Sequence, residues 1–334
     1  MDENNNPVDW YILYKIPHIK KGAPSELIKN GFAYMYLTSD NDENWTLSNI
    51  NIMDNEKSFL ATTLAPVYQS ENDNNIAHIF YNDEKPSGGN KGTKGHTKGA
   101  LATDQKGGFW LIHSTPAFPP SVNDNYSYPL SGTVYGQSIL CISLDTLNLN
   151  NAALQLFYDQ PQVYSSNFPS DLMLYYPNMK RIIDHESIDS PPWFMIQSLK
   201  TLKEQEFVSF AKTKDFSKEL YEDLVAPGLN SSLEVESWLN GPGKLASNCS
   251  KHFSVKNIEE ITLKEADVSF SSSLDHSKWA VSSETNQNWI CIGDINRAEH
   301  QKKRGGGTTC INNPQIAHLY KQAAVTIENC NKMS

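Results

Sequence analysis

The sequence has no long hydrophobic run and no recognisable leader. No apolar stretch approaches the roughly 18 residues that a membrane helix needs. The N-terminus, MDENNNPVDW, is acidic and polar, whereas a leader begins with a basic segment followed by an apolar one. We therefore expect no contact with a membrane, and a chain that either is made without a leader or has lost one. Its 334 residues suffice for two domain-sized cores.

Positive charge is scarce. There are 28 Lys and Arg against 38 Asp and Glu, a formal net charge of −10. This balance argues mildly against a nucleic-acid partner, because the phosphate backbone attracts basic surfaces. The nine histidines could offset most of it below about pH 6. The basic residues also cluster, in Lys85, Lys91, Lys94 and Lys98 and again in Lys302, Lys303 and Arg304. Taken alone, either cluster also fits a solvated loop.

The chain also lacks the common nucleotide and zinc motifs: a GxGxxG between strand and helix, a P-loop, and the Cys/His spacing of structural zinc. Aromatic and β-branched runs predict strands, for example over 8–16 and 108–114. An amphipathic helix is predicted over 215–226, with Asp215 as its N-cap and Pro227-Gly228 as its stop. Strands and helices without a regular βαβ rhythm indicate α/β or α+β layers.

One pattern occurs twice. GHTKGALATD places His96 and Lys98 on alternate residues, and DHSKWAVSSE does the same with His276 and Lys278. Alternate residues of a strand point to one face. In each copy a turn and a second apolar run follow, which predicts a β-hairpin. Two copies 180 residues apart indicate internal duplication and a pseudo-two-fold axis.

The return strand of each predicted hairpin carries a polar residue, His113 in the first and Asn296 in the second. They stand 17 and 20 positions after the leading histidine, which predicts that the second hairpin is about three residues longer. A single His-x-Lys on a strand is more often a surface feature than a site. Two copies with matched return strands are harder to explain by chance.

Two such pairs facing each other would surround one small space with two imidazoles and two ammonium groups, which suits a phosphodiester. One neutral histidine attacks phosphorus, and its protonated partner gives a proton to the leaving oxygen. The lysines stabilise the charge of the transition state, so no metal ion or cofactor is required. The lysines also lower the pKa of both histidines, which predicts an acidic optimum.

HTKGALATD, GGFWLIHS, DHSKWAVS and CIGDINRAEHQKKRGGGTTC resemble the signature stretches of deoxyribonuclease II, a branch of the phospholipase D-like superfamily. PVDWYILYKIP, YNDEKP, YGQSILCISL, FAKTKDFSKELY and SNCS match in the same order. The resemblance implies an α/β, phospholipase D-like fold of two pseudo-symmetric halves, each with a mixed β-sheet flanked by helices, and an active site at their interface. We place the N-terminal half at residues 1–160 and the C-terminal half at 161–334.

The resemblance further implies a metal-independent endonuclease that cuts DNA at acidic pH and leaves 3′-phosphate ends. The catalytic quartet would be His96, Lys98, His276 and Lys278, supported by Asp104, His113 and Asn296. Superfamily analogy alone favours His96 as the nucleophile and His276 as the general acid. No family role can be carried over to Glu284. Phosphates would be held at the rim of the groove by Lys91, Lys94, Lys303 and Arg304.

The resemblance also bears on the five cysteines. The family's two C-terminal disulfides map onto Cys249–Cys330 and Cys291–Cys310. A third would join Cys141 to a cysteine just ahead of Met1, so we expect Cys141 to be unpaired. If a leader has been removed, the protein is expected in the lysosome or outside the cell.

Other interpretations stay open at this stage. A phospholipase or other phosphodiesterase of the superfamily would keep the quartet but need an apolar channel for lipid. A catalytically inactive DNA-binding homologue would keep the fold and the groove. In an inert globular protein the histidines and lysines would be strand-surface residues. One chain contains both half-sites, so a monomer suffices to cut double-stranded DNA, although a homodimer could form a wider clamp.

Overall fold

The computed structural model describes residues 1–69, 75–89 and 92–330, whose strands form two large sheets. The eight strands of the first sheet are β1 (Trp10–Lys15), β2 (Tyr34–Thr38), β3 (Asn41–Leu47), β4 (Ala77–Asn82), β5 (Lys98–Thr103), β6 (Gly107–His113), β7 (Gln137–Asp145) and β8 (Val163–Asn167). The nine strands of the second are β9 (Phe194–Lys200), β10 (Glu206–Lys212), β11 (Leu233–Glu236), β12 (Val255–Leu263), β13 (Val268–Ser271), β14 (Trp279–Ser282), β15 (Trp289–Gly293), β16 (Gly306–Asn312) and β17 (Ala324–Ile327).

Two of the helices pack against strands of both sheets. The α-helices of the described residues are α1 (Glu26–Lys29), α2 (Phe59–Gln69), α3 (Thr146–Asp159), α4 (Pro177–Ile183), α5 (Ala226–Leu229) and α6 (Pro314–Ala323). Helix α3 packs against β6 of the first sheet and β10 of the second, and α6 packs against β3 and β15. Within the described ranges, none of these helices is both long and apolar enough to span a bilayer.

The two sheets repeat one strand order, which confirms the predicted α/β class and the two pseudo-symmetric halves. Neighbouring strands run β4-β5-β6-β7-β1 in the first sheet and β11-β14-β15-β16-β10 in the second, each antiparallel to the next. The second sheet is mixed, as predicted, because β11 and β12 pair in parallel. The described pairs of the first sheet are all antiparallel, including β1–β7 and β4–β8, whose strands lie far apart in the chain.

The two His-Lys hairpins are equal in length, so the predicted three-residue excess in the second is wrong. Gly99 pairs with Ile112 and Trp279 with Ile292, and in both hairpins these residues stand three and 16 positions after the leading histidine. His113 ends β6, and Gly293 holds the matching place in β15. Asn296 lies in the loop beyond the strand, so it is not the counterpart of His113.

The helix predicted over 215–226 is also wrong in its bounds. Asp215 lies in a short 3-10 turn, where its backbone N–H donates to the Thr213 hydroxyl at 3.2 Å. Ser217 then adopts a left-handed conformation (φ 53°) that a helix cannot pass through. The helical stretch starts after it and runs on through Pro227, because a π-helical segment, Tyr221–Val225, leads directly into α5.

Both halves bury apolar faces in one shared core. Trp10 of β1 meets Phe207 of β10 edge to face, with ring centroids 6.4 Å apart. Trp45 of the first sheet and Trp279 of the second both pack against Tyr320 of α6. These rings belong to one buried cluster that extends through both sheets. Because the halves share this core, residues from either half can meet at a fixed geometry.

The chain crosses between the halves close to the predicted boundary. Strand β8 begins three residues after position 160 and pairs with β4 at the edge of the first sheet. The first sheet therefore takes one strand from beyond residue 160. The division into 1–160 and 161–334 stays a prediction.

The two predicted disulfides are confirmed. Cys249 is bonded to Cys330, and Cys291 is bonded to Cys310, its direct neighbour across β15 and β16. Cys141 is free and buried in the middle of β7, as expected. The first bond joins the C-terminal segment to the loop before β12. The second joins β16 to β15, the return strand of the hairpin that follows His276.

Candidate active site

The two leading histidines lie at the interface of the halves, each ahead of its own hairpin. The backbone N–H of His96 donates to the carbonyl of Gly305, just before β16 of the other half, at 2.9 Å. The N–H of His276 donates to the carbonyl of Gly136, just before β7, also at 2.9 Å. Because β7 and β16 are corresponding strands, these contacts are equivalent. The two sequence motifs therefore meet in one place.

Each imidazole is also held by the opposite half. Nδ1 of His96 is bonded to the carbonyl of Asp294, directly after β15, and Nδ1 of His276 to the carbonyl of Ser114, directly after β6, at 3.0 Å. A carbonyl oxygen can only accept, so this network assigns a proton to Nδ1 of both rings. Nε2 is therefore the atom that either attacks as a lone pair or carries the transferable proton.

The two lysines have different surroundings. Lys98 Nζ donates to Oδ1 of Asp83, a residue that directly follows β4. Asp83 Oδ2 lies 3.9 Å from His96 Nε2 and accepts a hydrogen bond from Arg304 at 3.1 Å. Lys278 Nζ instead donates to the carbonyl of His276. The first half thus has a carboxylate beside its His-Lys pair, and the second half has a backbone carbonyl.

Burial and like charge depress the basicity of the site. Burial, followed by the charge of Lys98, holds the pKa of His96 well below its usual range, although Asp83 opposes this. Burial, followed by Lys278 and Lys98, does the same to the pKa of His276. Burial and then Lys98 lower the pKa of Lys278 to about 7, against the attraction of nearby carboxylates. These mutual effects show that the charges of the quartet act on one another.

Asp83 is ionised despite its burial. Desolvation alone would raise its pKa, but Lys98, His96 and Arg304 outweigh that effect and hold the pKa well below its usual range. An ionised carboxylate this close to His96 favours a positive charge on that ring.

The structure shows what replaces this carboxylate in the second half. In the first sheet Asn82 pairs with Lys98, and in the second Glu236 pairs with Trp279, one residue beyond Lys278. In this register Ser237 lies opposite Lys278 and corresponds to Asn82. The next residue, Trp238, is therefore the counterpart of Asp83. The Trp238 ring lies against His276, with centroids 5.2 Å apart. The two half-sites are therefore related in backbone but not in chemistry.

His113 is brought to the quartet. It is fully buried at the end of β6, one pair beyond Gly99 and Ile112 and so opposite Lys98. Its Nδ1 accepts from the N–H of Thr115 at 3.2 Å, and burial and the charge of Lys98 lower its pKa to about 3. His113 is therefore a neutral neighbour of Lys98, and within the described residues its Nε2 has no hydrogen-bond partner.

Asn296 is buried, but its neighbours around the cavity that it lines are not members of the quartet. Its side chain borders a small cavity shared with Lys212, Glu219 and Gln301. Within the described residues its Oδ1 has no hydrogen-bond partner. The structure gives no direct contact between Asn296 and the quartet.

Asp104 is not brought to the quartet. It lies in the exposed turn after β5, and its carboxylate accepts from the N–H groups of Lys106 at 2.6 Å and Gly107 at 3.2 Å. Strand β5 separates it from Lys98 by six residues, about 20 Å. Glu284 likewise binds a turn, accepting from Ser231 and Ser232. Asp104 therefore binds the turn of its own hairpin, whereas Glu284 binds the segment that precedes β11.

The predicted rim residues differ in whether hydrogen bonds hold their side chains or the side chains are exposed. Arg304 is largely buried, binding Asp83 as well as the carbonyls of Lys94 and Gly95 at 3.0 and 3.1 Å. The side chains of Lys94 and Lys303 are exposed next to it. Lys91 lies outside the described residues. Arg304 therefore joins the segment before His96 to the segment before β16.

Sequence reasoning missed several groups that the site depends on. Asp83 ends a recognisable strand, HIFYND, and a carboxylate at that point is a signal that could have drawn attention to it. Ser114 and Asp294 act through their carbonyls, for which no side-chain signal exists. The Asp294 carboxyl accepts from the N–H of Gly307 at 3.1 Å, and burial raises its pKa to about 6. In the described part of the chain, no group of three or more His, Cys, Asp or Glu is arranged to hold a metal ion.

The chain was compared with known proteins. The family model described as deoxyribonuclease II matches residues 1–330. Plancitoxin-1 of Acanthaster planci is 35% identical over 332 residues, covering 99% of this chain and 92% of the relative. Deoxyribonuclease-2-alpha of Sus scrofa is 34% identical over 335 residues, with coverage of 99% and 90%. Cell death-related nuclease 6 of Caenorhabditis elegans is 38% identical over 321 residues, with coverage of 93% and 83%.

These matches extend over almost the whole chain and agree with the two sheets and the paired His-Lys hairpins. They confirm the resemblance drawn from the sequence and the phospholipase D-like fold that it implies. The chain belongs to the deoxyribonuclease II family.

Proposed function

We propose that this protein is a metal-independent acid endodeoxyribonuclease that hydrolyses DNA through a phosphohistidine and leaves 3′-phosphate ends. The observation that carries the proposal is the reciprocal bracing of His96 and His276, each bonded through Nδ1 to a carbonyl of the opposite half. This arrangement presents two Nε2 atoms, one for attack and one for proton transfer, and Lys98 and Lys278 follow the two histidines by two residues.

In the first step, Nε2 of neutral His96 attacks the phosphorus atom. The bond from phosphorus to the 5′-oxygen breaks, and that oxygen takes the proton from Nε2 of His276. His96 now carries the 3′-phosphoryl end and a positive charge. Two neighbouring groups favour that charge: the Asp294 carbonyl at Nδ1 and the Asp83 carboxylate beside the ring. Since Trp238 holds the position of Asp83 in the second half and carries no charge, His96 is the better placed nucleophile.

In the second step, neutral His276 takes a proton from water while the oxygen of that water attacks phosphorus. The phosphorus–nitrogen bond breaks, and His96 leaves with its original electron pair. The product carries a 3′-phosphate, and both histidines regain their starting protonation. The ammonium groups of Lys98 and Lys278 bind the non-bridging oxygens throughout, supplying the positive charge that a divalent ion provides in other nucleases.

The pKa directions support an acidic optimum. The cycle needs His276 protonated and His96 neutral, and the pKa of each free ring lies well below its usual range. Activity is therefore lost as the pH rises and His276 loses its proton. The bound phosphate raises both pKa values by its negative charge, which keeps the optimum from falling to extreme acidity. Lys278, with a pKa of about 7, is also fully charged only in acid.

The substrate we propose is double-stranded DNA, held between the halves by phosphate contacts. Lys94 and Lys303 are exposed, and Arg304, which follows Lys303 and binds the Lys94 carbonyl, also binds Asp83. Lys91 is a further candidate outside the described residues. Such contacts hold the backbone without reading bases. A monomer contains the complete site, and a homodimer would widen the clamp. The acidic optimum and the two disulfides suit a lysosomal or secreted protein.

The test is plasmid cleavage at pH 5 in excess EDTA, followed by analysis of the ends. We expect nicked and linear products that polynucleotide kinase labels at the 5′-end directly, because the 5′-hydroxyl is free, and that polymerase extends only after phosphatase treatment. A pH–rate profile should be bell-shaped with its maximum in acid. Loss of cleavage in EDTA, 5′-phosphate products or a rate that rises steadily to pH 9 would contradict the proposal.

A further inference from the structure

Two aromatic side chains lie beside His276, and the pseudo-two-fold axis does not repeat them beside His96. Trp238, which replaces the carboxylate of Asp83 in the second half, packs edge to face against Tyr135, with ring centroids 4.7 Å apart. Tyr135 comes from the loop before β7 of the first half, and Trp238 from the loop after β11 of the second. The pair therefore spans the interface directly beside His276, whose ring lies 5.2 Å from Trp238.

These two rings are not part of the hydrophobic core. Both side chains are partly exposed, whereas most of the aromatic residues of the neighbouring strands are fully buried. Partly exposed aromatic rings beside a proposed catalytic histidine suit a nucleobase, because bases stack on aromatic faces irrespective of their sequence. The other side of the site offers no such surface, since Asp83 and Arg304 occupy the corresponding positions.

The proposed mechanism determines which base of the substrate would stack on these rings. If His96 carries the 3′-phosphoryl end, His276 protonates the 5′-oxygen of the departing strand. The aromatic pair beside His276 then lies next to the first nucleotide of that departing strand. We propose that Tyr135 and Trp238 form a stacking subsite for this base, an inference that rests on the proposed function.

The subsite would explain how the leaving oxygen is brought to His276. Stacking fixes the departing nucleotide by its base, so its 5′-oxygen stays within reach of Nε2. Because every base has an aromatic face, the subsite adds binding without sequence preference. It also requires the base to leave its own stack, so an unpaired base at this position should bind more readily than a paired one.

The experiment is a double-mutant cycle on a single-stranded oligonucleotide with one cleavable phosphodiester, assayed at pH 5 in EDTA. One axis is Trp238→Ala, and the other replaces the base of the departing nucleotide with an abasic tetrahydrofuran. We expect each change alone to lower kcat/KM by about 5- to 20-fold, and both together to lower it no further than either alone. Trp193→Ala, another partly exposed tryptophan outside the site, is the matched control and should have no effect.

Independent, multiplying effects of the two changes would overturn the subsite, because Trp238 would then act on something other than the base. A second substrate separates stacking from positioning of His276. On thymidine 3′-(p-nitrophenyl phosphate), whose leaving group is not a nucleotide and needs no acid, Trp238→Ala should retain wild-type kcat. An equal loss on both substrates would also overturn the subsite. Failure of the wild-type protein to cut both of these substrates and plasmid DNA would refute the proposed function instead.

Discussion

Replacing either leading histidine is expected to abolish DNA cleavage while leaving the protein folded. His96→Asn removes the proposed nucleophile and should lower kcat by about 10⁴-fold or more. His276→Asn removes the general acid and should lower it by about 10²- to 10⁴-fold. Asparagine is chosen because its amide can still donate to the carbonyl that each ring contacts through Nδ1, while Nε2 is lost. Single-turnover cleavage of an oligonucleotide at pH 5 measures both effects.

His318→Ala is the matched control, since His318 is an exposed histidine of α6 outside the site. It should cut DNA at the wild-type rate. Thermal unfolding of the two active-site variants should stay cooperative, because the backbone contacts of His96 and His276 to Gly305 and Gly136 do not involve the rings. Near-normal cleavage by either folded variant would show that the two hairpins do not form one catalytic site.

Replacing Lys278 is expected to change both the rate and its pH dependence. Lys278→Met removes one ammonium group from the transition state and should lower kcat by about 10²- to 10³-fold. Burial and then the charge of Lys278 hold down the pKa of His276, so removing that charge raises the pKa. The acid then keeps its proton to higher pH, and the alkaline limb of the residual activity should move towards neutrality.

A full pH–rate profile of the Lys278→Met variant tests this directly. Lys218→Met, an exposed lysine away from the interface, should reproduce the wild-type profile. A lowered rate with an unmoved alkaline limb would mean that His276 is not the group whose ionisation limits activity in that range.

The sequence predicted those parts of the site that repeat locally. The His-x-Lys pattern, its hairpin and the second copy follow from short-range alternation and turns, so they could be predicted. Asp83 and the carbonyls of Ser114 and Asp294 reach the histidines only through long-range packing of the two halves. No local pattern encodes such contacts.

Two errors show the limits of counting along the chain. The sequence predicts Asn296 as the counterpart of His113 on the return strand, whereas the strand register matches His113 to a glycine. The family resemblance places Asp104 in the site, but the six residues of β5 separate it from Lys98 by about 20 Å. The replacement of Asp83 by Trp238, which makes the half-sites unequal, is visible only when the two sheets are compared strand by strand.

The proposed mechanism depends most on His96 as the residue that bonds to phosphorus, and labelling of the enzyme from phosphorus tests this role. The His276→Ala variant is mixed at pH 5 with thymidine 3′-(p-nitrophenyl phosphate) labelled at phosphorus. Because p-nitrophenolate departs without an acid, the first step can proceed, whereas the second lacks its base and the phosphoenzyme should accumulate. We expect a label bound through a phosphorus–nitrogen bond, which is stable in alkali and labile in acid, and confined to the peptide containing His96. A label on any other residue, or steady release of p-nitrophenol with no labelled protein, would contradict it.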